Sequence, residues 1–590
     1  MATATGTVEY RIDLAGRNAH LYGVEARFPV GGGDVDLMLP VWTPGSYLVR
    51  EFERHLQELT FATPEGRVLA ARKVDKATWR VDARGATSVV ARYRVYANDL
   101  TVRSAHLDDS HGFFNGACVF LYHPPLKAAP ARITVAPPEH WRVTVALPES
   151  PENTFAARNY DEIVDSPFEV GTHELHPFDA QGKRHRLAIW GEATFSREQL
   201  VADMKLIIDA AANIFGDGVP YDEYAFLLML APNQYGGLEH SKSCALLASP
   251  FTFHPRKKYE ELLELVSHEY FHLWNVKRIH PEALGPFDYQ REAYTRCLWV
   301  MEGITSYYDR HILVRAGLQK PDKYLDKLAE EVGKIAAIPG RKRQSLEESS
   351  YDAWIKLYRP DENAVNSTIS YYLKGGAVAL LLDLEMRSRT AGGKSLDDLM
   401  RLLWQRFGQR NVGFPDDSVQ ALAEEASGLD LEAFFERHVR GRDELELERL
   451  LATVGLTISA ESDGDGNEPW LGVNTRDDGG LVLAAVLDDG PAQAAGLSAG
   501  DELIALDGFR IDSSSLKDRL AAKKPGDRVR CDIFRRDQLR TIEVTLGEKP
   551  ADRYKIAPVA NPAAAQRALY EQWMGAPLPN ADDEEDSDEA

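Results

Sequence analysis

The chain has 590 residues, of which 44% are hydrophobic and 27% are charged, as in ordinary soluble globular proteins. This length exceeds what a single hydrophobic core organises, so we expect three or more domains. The formal net charge of -23 argues against nucleic acid or an anionic membrane as a partner, because both bind basic surfaces.

The N-terminal segment has neither the basic start nor the apolar core of a signal peptide. No stretch of the chain approaches the roughly 20 apolar residues that a membrane span requires. We therefore expect a cytoplasmic protein, or a periplasmic or secreted one if a leader was removed. The cysteines lie far apart without a CxxC pair, which predicts buried free thiols rather than disulfides or a thiolate zinc site. They are Cys118, Cys244, Cys297 and Cys531.

Residues 1–177 are predicted to form an all-β domain. The segments VEYRIDL, ATWRVDA, SVVARYRVYA and WRVTVAL alternate apolar and polar residues, and turns rich in Gly, Pro, Asn and Asp separate them. Such alternation is typical of strands that bury one face in a core.

Residues 178–455 change from α/β patterning to mainly helical patterning. A helical run near Arg197 to Phe215 precedes the apolar strand YAFLLMLAP and the segment NQYGGLEHSKSCALLAS. Helical periodicity then dominates from Tyr259 to about Val454. We expect one domain here, and the chemistry-bearing motifs fall within it.

The C-terminal part is predicted to be a small domain of strands and turns over residues 456–550, followed by an extension over residues 551–590. The stretch SAESDGDGNEP is typical of a linker, and short strands run from Trp470 to about Leu546. The final segment ADDEEDSDEA is acidic or small throughout and buries nothing, so we expect a disordered tail.

The segment HEYFH lies in a helical run without Gly or Pro, which places His268 and His272 one turn apart on one helix face. Two imidazoles in that relation are able to bind one Zn²⁺, and Glu269 is placed to act as general base toward a water that the zinc activates. The alternative is a chance match on an ordinary amphipathic helix.

The segment WVMEGITSYY supplies a third acidic group, Glu302, in an apolar helix. A carboxylate there is costly unless it binds a metal. His268, His272 and Glu302 make the three protein ligands of a catalytic zinc site, which predicts one Zn²⁺ per chain and hydrolysis of an amide with Glu269 as base.

HEYFH followed by WVMEG resembles the glutamate-ligand zincins, and within them the branch of aminopeptidase N and leukotriene hydrolase. The interval between His272 and Glu302 is longer here than in that branch, which makes Glu292 a competing third ligand. We prefer Glu302 for its Trp-x-x-Glu-Gly context, because Glu292 lies in the polar run YQREAYTR.

Two further segments resemble the same branch. By that resemblance Gly236, Gly237 and Glu239 of GGLEH lie along the substrate, and Glu239 binds its free α-amino group; a plain turn between two strands is the alternative. In YYLKGG, the resemblance makes Tyr372 the hydroxyl donor to the developing oxyanion. Tyr371 in the other register and a purely structural buried tyrosine are the alternatives, and we prefer Tyr372.

A PDZ domain of the bacterial type is indicated by PWLGV and the later segment AGLSAGDELIALDG. In a PDZ domain the amides of Leu471, Gly472 and Val473 receive a carboxylate, and an extended C-terminal peptide adds as a strand. A structural PDZ domain that binds no peptide is an equal alternative.

The whole layout resembles the glycyl aminopeptidase family of bacterial metallopeptidases. This resemblance implies an N-terminal all-β domain, a thermolysin-like catalytic domain that runs from α/β to mainly α, a C-terminal PDZ (α+β) domain and an acidic tail. It also implies peptide substrates with a free N-terminus, preferably glycine or alanine. The segment VWTPGSYLVREF (residues 41–52) is either part of the active-site cleft or a packed corner between domains.

Two other functions compete with an aminopeptidase. One is a zinc endopeptidase or peptide-trimming protease, which does not need a free N-terminus. The other is a PDZ scaffold with a vestigial metal site, which is disfavoured because a scaffold has no need of the base Glu269.

Overall fold

The computed structural model describes residues 6–461 and 468–580 of the chain. The predicted acidic tail lies outside these described residues. Two compact units are distinguished by their internal contacts. The first runs to Tyr294 and also takes in Tyr308–Leu318 and Met400–Asp416, whereas the second takes in Thr295–Tyr307, Gln319–Leu399 and the chain from Asp417 onward.

The first unit begins with the predicted β region, which is confirmed. The alternation of apolar and polar residues explains why strands form here. In Val8–Gly16 the residues Val8, Tyr10, Ile12 and Leu14 are buried, and the residues between them face outward. A seven-stranded sheet has the order Glu149–Ser150, Thr154–Ala157, Ala131–Ala136, Val8–Gly16, Leu21–Pro29, Ser88–Tyr96, Leu56–Ala62. A three-stranded sheet contains Asp34–Met38, Thr78–Asp82 and Ala71–Lys73, and a four-stranded sheet has the order Arg142–Thr144, Phe168–Gly171, His111–Phe114, Ala105–Leu107.

A five-stranded sheet follows, and its central strands run parallel. Its order is Glu174–Ala180, Lys183–Trp190, Glu223–Leu230, Ser243–Ala248, Gly236–Glu239. The predicted apolar strand is Glu223–Leu230, which is buried along nearly its whole length as expected of a central parallel strand. Gly236–Glu239 is the edge strand, antiparallel to Ser243–Ala248.

Helices of the first unit include the predicted one, Arg197–Phe215, whose N-cap Ser196 accepts a hydrogen bond from the amide of Gln199. The helix that carries HEYFH is Arg256–Phe271. Short helical segments in the same unit are Arg17–Ala19, Phe52–His55, Gly116–Val119, Pro124–Leu126, Tyr160–Val164, Glu282–Leu284 and Gly408–Arg410.

The second unit is mainly helical before the PDZ domain, as predicted. Its helices are Pro321–Ala336, Leu346–Tyr351, Ala364–Ser367, Leu373–Arg389, Val419–Ser427, Glu432–Phe435 and Leu447–Thr453, with a 3₁₀ turn at Pro339–Lys342 and π-helical turns at Trp299–Gly303 and Glu436–Arg440. Helices Ile304–Arg315 and Leu396–Arg406 each contribute residues to both units.

The predicted PDZ domain is confirmed as a strand-rich module with two helices. Its strands are Val473–Asp477, Leu481–Val486, Glu502–Leu506, Phe509–Arg510, Arg528–Arg535 and Gln538–Thr545, and its helices are Pro491–Ala495 and Ser513–Ala521. The short strands Pro469–Trp470 and Gly547–Glu548 pair with each other at the ends of the domain. Leu483, Ile533 and Val544 are fully buried in its core.

After the PDZ domain the chain returns to the helical part of the second unit. Strand Tyr554–Pro558 pairs antiparallel with Leu456–Ala460, and helix Ala564–Met574 follows. The side chain of Trp573 is buried, and its Nε1 donates to the hydroxyl of Tyr307 over 3.1 Å. Leu456–Ala460 therefore forms a two-stranded antiparallel sheet with the C-terminal segment. The first residues of the predicted linker belong to this strand.

All four cysteines are buried and form no disulfide within the described residues, as predicted. Within the described ranges, no helix combines the length and the apolar composition that crossing a membrane requires.

Candidate metal centre

The helix Arg256–Phe271 presents both predicted histidine ligands. Its inward face buries Leu262, Leu263 and Val266 completely or nearly so, which fixes the rotation of the helix about its axis. His272 caps the C-terminus with helical dihedral angles, and its amide still donates to the carbonyl of His268 over 3.2 Å. The two imidazole centroids are 4.7 Å apart, so both rings lie at one end of one helix face.

The Nδ1 atoms of the two histidines are held by other groups of the protein. Nδ1 of His268 donates to the carboxylate of Asp309 over 3.0 Å, and Nδ1 of His272 donates to the carbonyl of Asn275 over 2.7 Å. Because a neutral imidazole has one donor and one acceptor nitrogen, this arrangement leaves Nε2 as the nitrogen with the lone pair on each ring. Histidine ligands of zinc are oriented in the same manner in proteins.

Glu302 lies in a π-helical turn, Trp299–Gly303, rather than in the regular α-helix that its apolar context predicts. The amide of Ile304 donates to the carbonyl of Trp299, five residues earlier. Such turns widen a helix locally and are frequent at functional sites. The side chain of Glu302 is only 2% exposed.

The structure brings the three predicted ligands together. One ring nitrogen each from His268 and His272 and one carboxylate oxygen of Glu302 lie within 4.8 Å of one another. Glu292, the competing third ligand, is exposed, as its polar context predicts. The geometry therefore favours Glu302 over Glu292.

Tyr372 neighbours Glu302 through a contact between two glycines. A Cβ atom on Gly303 would lie 2.6 Å from the Cα of Gly375, so the turn and the helix Leu373–Arg389 touch backbone to backbone. Tyr372 is the residue that precedes this helix. The glycines of WVMEG and YYLKGG thus allow the turn and the helix to cross in direct backbone contact. Sequence patterns did not predict that these two motifs meet.

The phenol of Tyr372 is held in its neutral form. Burial, together with the negative charge of Glu302, raises the pKa of Tyr372 well above its usual value. Its hydroxyl shares a hydrogen bond with that of Tyr358 at 3.1 Å. Tyr371, the other possible register, is fully buried and stacks against the Tyr372 ring. A phenol that keeps its proton is a suitable hydrogen-bond donor to a developing negative charge.

Glu239 and Glu269 form a second buried group with His272. Each side chain offers one ligand atom, and these atoms lie within 4.8 Å of one another. Strand Gly236–Glu239 approaches Glu269 so closely that a Cβ on Gly237 would lie 2.1 Å from its Oε1. The GGLEH segment is therefore a strand beside the HEYFH helix, and a side chain in place of the second glycine would displace the carboxylate of Glu269. Gly236, with φ of 156°, begins the strand.

The segment VWTPGSYLVREF also reaches this group, which its sequence left undecided. Gly45 has φ of 82°, and a Cβ there would lie 2.6 Å from Oε1 of Glu239. A residue of the N-terminal β region thus packs directly on the carboxylate predicted to bind the substrate amine. Of the two alternatives that the sequence left open for this segment, the contact favours the one in the cleft.

Lys277 and Arg278 follow the HEYFH helix and are used within the protein. Lys277 Nζ lies 2.6 Å from a carboxylate oxygen of Asp165. Arg278 donates to the backbone carbonyls of Leu273, Pro220 and Ser241. Both side chains are therefore engaged by groups of the protein itself.

Sequence reasoning also missed Asp309 and Asn275, which orient the two imidazoles. Asp309 had a signal in the sequence, because it follows Glu302 by two helical turns within one apolar run. Asn275 acts through its backbone carbonyl, so its side-chain identity gave no indication.

The PDZ domain presents strand Val473–Asp477 at the edge of its sheet, beside helix Ser513–Ala521. The carbonyls of Leu471 and Gly472 accept hydrogen bonds from the amides of Ala492 and Leu487. Gly472, with φ of 79°, makes the turn before the edge strand. Binding of a carboxylate by the amides of Leu471, Gly472 and Val473 stays a prediction.

Models of three protein families match parts of this chain. The Peptidase M61 N-terminal domain matches residues 9–172, the M61 glycyl aminopeptidase domain matches residues 261–378, and the PDZ domain matches residues 469–546. The motifs HEYFH, WVMEG and YYLKGG all lie within the second match.

Among solved structures, the chain is similar to an aminopeptidase N family protein from Idiomarina loihiensis. The two are 33% identical with a TM-score of 0.90, over 96% of this chain and 100% of the other. Two curated relatives match this chain over its PDZ region. A probable periplasmic DegP-like serine endoprotease of Ectopseudomonas mendocina is 28% identical over 131 residues, 20% of this chain and 28% of that protein. Its counterpart in Pseudomonas fulva is 40% identical over 74 residues, 12% of this chain and 15% of that protein.

Proposed function

Since the chain belongs to the M61 glycyl aminopeptidase family, we propose that it is a zinc-dependent aminopeptidase that removes N-terminal glycine or alanine from peptides. The observation that carries this proposal is the group of His268, His272 and Glu302, whose ligand atoms lie within 4.8 Å of one another. The preference for small residues rests on the family.

The donor set suits one zinc ion at this site. Two imidazoles and one carboxylate are the ligands of many catalytic zinc sites, in which a fourth position stays open. The Nδ1 hydrogen bonds of His268 and His272 direct Nε2 of each ring toward such an ion. When bound, zinc supplies Lewis acidity, which lowers the pKa of water and polarises the carbonyl group to be attacked.

In this proposal Glu269 moves the proton. Its carboxylate accepts a proton from the attacking water and passes it to the nitrogen of the leaving amine, so the peptide bond breaks without a free strong base or acid. The side chain is buried, and strand Gly236–Glu239 packs against its Oε1. This packing supports the role because a base must be held within hydrogen-bond reach of the proton it takes.

Glu239 and Tyr372 give the hydrolase its specificity and its oxyanion donor. A carboxylate at Glu239, whose ligand atom lies within 4.8 Å of those of Glu269 and His272, binds the ammonium group of a free N-terminus by charge-assisted hydrogen bonds. That contact restricts cleavage to the first peptide bond. The hydroxyl of Tyr372 donates to the carbonyl oxygen as negative charge develops on it.

Hydrolysis of glycyl and alanyl anilides, compared with their N-acetylated forms, tests the function. We expect rapid release of aniline from the free amines, little from the blocked forms, and complete loss after treatment with a chelator. Zinc added back should restore activity. The anilide of a bulky residue such as leucine tests the preference for small N-terminal residues. We expect it to be hydrolysed more slowly than the glycyl and alanyl anilides.

Three outcomes would contradict parts of this proposal. Activity that survives chelation would exclude a metal-dependent reaction. Equal rates on free and acetylated substrates would favour the endopeptidase. Absence of hydrolysis from zinc-loaded protein on any peptide would favour the scaffold.

Replacing Glu239 by alanine should damage the enzyme mainly toward free amines. Loss of a charge-assisted contact is expected to lower kcat/KM by about 10- to 100-fold for alanyl anilide, chiefly through a higher KM. Slow hydrolysis of an acetylated peptide should be unchanged, because that substrate has no ammonium group. Steady-state kinetics on both substrates measure the difference.

Glu239→Gln is the matched variant, since it keeps the size that Gly45 packs against and removes only the charge. It should show most of the same loss. Equal losses on free and blocked substrates in both variants would refute binding of the amine by Glu239.

A further inference from the structure

A second cluster of metal-ligating side chains lies in the four-stranded sheet of the N-terminal β region. In this sheet both His106 and Glu169 pair with Phe113, from opposite sides. His111 lies two residues before Phe113 on the same strand and therefore on the same face of the sheet. Three potential ligands thus share one face, contributed by three adjacent strands.

The turn between two of these strands adds a carboxylate. Oδ1 of Asp108 accepts hydrogen bonds from the amide of Ser110 at 2.8 Å, the hydroxyl of Ser110 at 2.7 Å and the amide of His111 at 2.9 Å. These bonds fix the carboxylate and turn Oδ2 toward Nε2 of His106, 3.1 Å away. One ligand atom each from His106, Asp108 and His111 lies within 4.8 Å of the other two.

Glu169 lies beside this group with an unsatisfied carboxylate. It is 1% exposed, and neither of its oxygens has a hydrogen-bond partner among the described residues. Its oxygens lie 3.7 Å from Nε2 of His111 and 3.7 Å from Nδ1 of His173, which is too far for a hydrogen bond. His111 is fully buried, and both of its ring nitrogens also lack a partner in the described chain.

Such an arrangement is costly without a ligand. A buried polar group that makes no hydrogen bond costs about 1–3 kcal/mol, and more for a charged group. His111 is held firmly by its stacking on Trp190, with ring centroids 3.7 Å apart. His173 is fixed by a hydrogen bond of 2.8 Å between its Nε2 and the hydroxyl of Thr144. The unsatisfied atoms are thus held facing one another.

The separation between His111 and Glu169 fits two ligands of one ion better than it fits a hydrogen bond, and the separation between His106 and Asp108 fits either. Two ligands at about 2.1 Å from a tetrahedral zinc ion lie roughly 3.4 Å apart. The pair His106 and Asp108 at 3.1 Å and the pair His111 and Glu169 at 3.7 Å lie on either side of this value.

We propose that His106, Asp108 and His111, with Glu169 as the fourth group, bind a divalent transition metal ion in the N-terminal β region. Imidazole ligands exclude Mg²⁺ and Ca²⁺, which take oxygen ligands, and a set of imidazoles and carboxylates suits Zn²⁺. His173 is a positioning residue that holds Glu169. The ion ties the hairpin Ala105–Leu107 and His111–Phe114 to strand Phe168–Gly171, and none of its ligands belongs to the candidate metal centre described above.

Zinc binding by the full-length chain tests this site separately from the catalytic one. In a His272→Ala background, which removes a ligand of the candidate metal centre, the protein is stripped with a chelator and dialysed against Zn²⁺. Elemental analysis should then find one zinc ion per chain. Adding His111→Gln or Asp108→Asn should remove that ion, and zinc should raise the Tm of the His272→Ala protein but not that of the double variants.

The matched control is His140→Gln, because the imidazole of His140 is 84% exposed in the same β region. It should leave both zinc content and Tm unchanged. Asp108→Asn guards against a folding artefact, since Asp108 is partly exposed and the asparagine keeps an oxygen for the turn. Zinc that stays stoichiometric in both double variants, or a His272→Ala protein that binds none, would overturn the proposal. The catalytic assignment does not depend on either result.

Discussion

Replacing Glu269 by glutamine is expected to lower kcat on alanyl anilide by about 10²- to 10⁴-fold, the usual contribution of a general base. The amide has the same shape as the carboxylate but accepts no proton at neutral pH. Glutamine also preserves the close packing between residue 269 and Gly237. The loss should therefore appear in the chemical step, with KM nearly unchanged and zinc content equal to that of the wild type.

Asp309→Asn provides the contrasting variant for this experiment. It perturbs the carboxylate that accepts a hydrogen bond from Nδ1 of His268, and such changes typically weaken metal binding by about 10- to 100-fold. We expect low activity that excess zinc restores, whereas Glu269→Gln should stay inactive in excess zinc. Full activity in Glu269→Gln would exclude this residue as the base.

Tyr372→Phe is expected to lower kcat by about 10²- to 10³-fold, the usual cost of removing one donor to an oxyanion. The phenylalanine keeps the ring that stacks on Tyr371, so the local packing is retained. Because the donor acts on charge that develops in the transition state, KM should change much less than kcat. Steady-state kinetics on alanyl anilide separate the two parameters.

The matched control for this variant is Tyr371→Phe. Tyr371 is the adjacent tyrosine, and its hydroxyl donates weakly to that of Tyr358 over 3.5 Å. We expect it to retain most of its activity. Equal losses in the two variants would assign both tyrosines to packing rather than to catalysis.

The pH profile gives a second test of the tyrosine. Burial raises the pKa of Tyr372 well above its usual value, so the phenol stays protonated as the pH rises through neutrality into the mildly alkaline range. Its donor function is therefore present throughout that range, and Tyr372→Phe should lower the rate at every pH without moving the midpoints. If the wild-type rate fell at alkaline pH and this fall disappeared in Tyr372→Phe, the result would contradict a tyrosine donor with a raised pKa.

The contact between Gly45 and Glu239 has a consequence for the N-terminal β region. A Cβ atom there would overlap both carboxylate oxygens, and the positive φ disfavours any other residue. Under the proposed role of Glu239, the β region therefore contributes to binding of the substrate amine rather than serving only as a separate module. This explains how a segment distant in sequence from HEYFH belongs to the same site.

Sequence patterns determined the chemistry because helical spacing is a local property. An uninterrupted helix places His268 and His272 on one face whatever surrounds it, and alternation fixed the β character of the N-terminal region. The apolar context of Glu302 identified a costly carboxylate. These features depend on neighbours within one or two turns, so the sequence alone is sufficient to predict them.

Tertiary structure decided which distant groups meet those residues. Three contacts join segments that are far apart in the chain. Asp309 accepts a hydrogen bond from Nδ1 of His268, Gly45 packs on the carboxylate of Glu239, and Gly375 packs against Gly303. The cluster of His106, His111 and Glu169 arises in the same way, from the register of three paired strands. Neither strand register nor the crossing of two helices follows from local periodicity, because both are set by packing between elements, and only the fold reveals them.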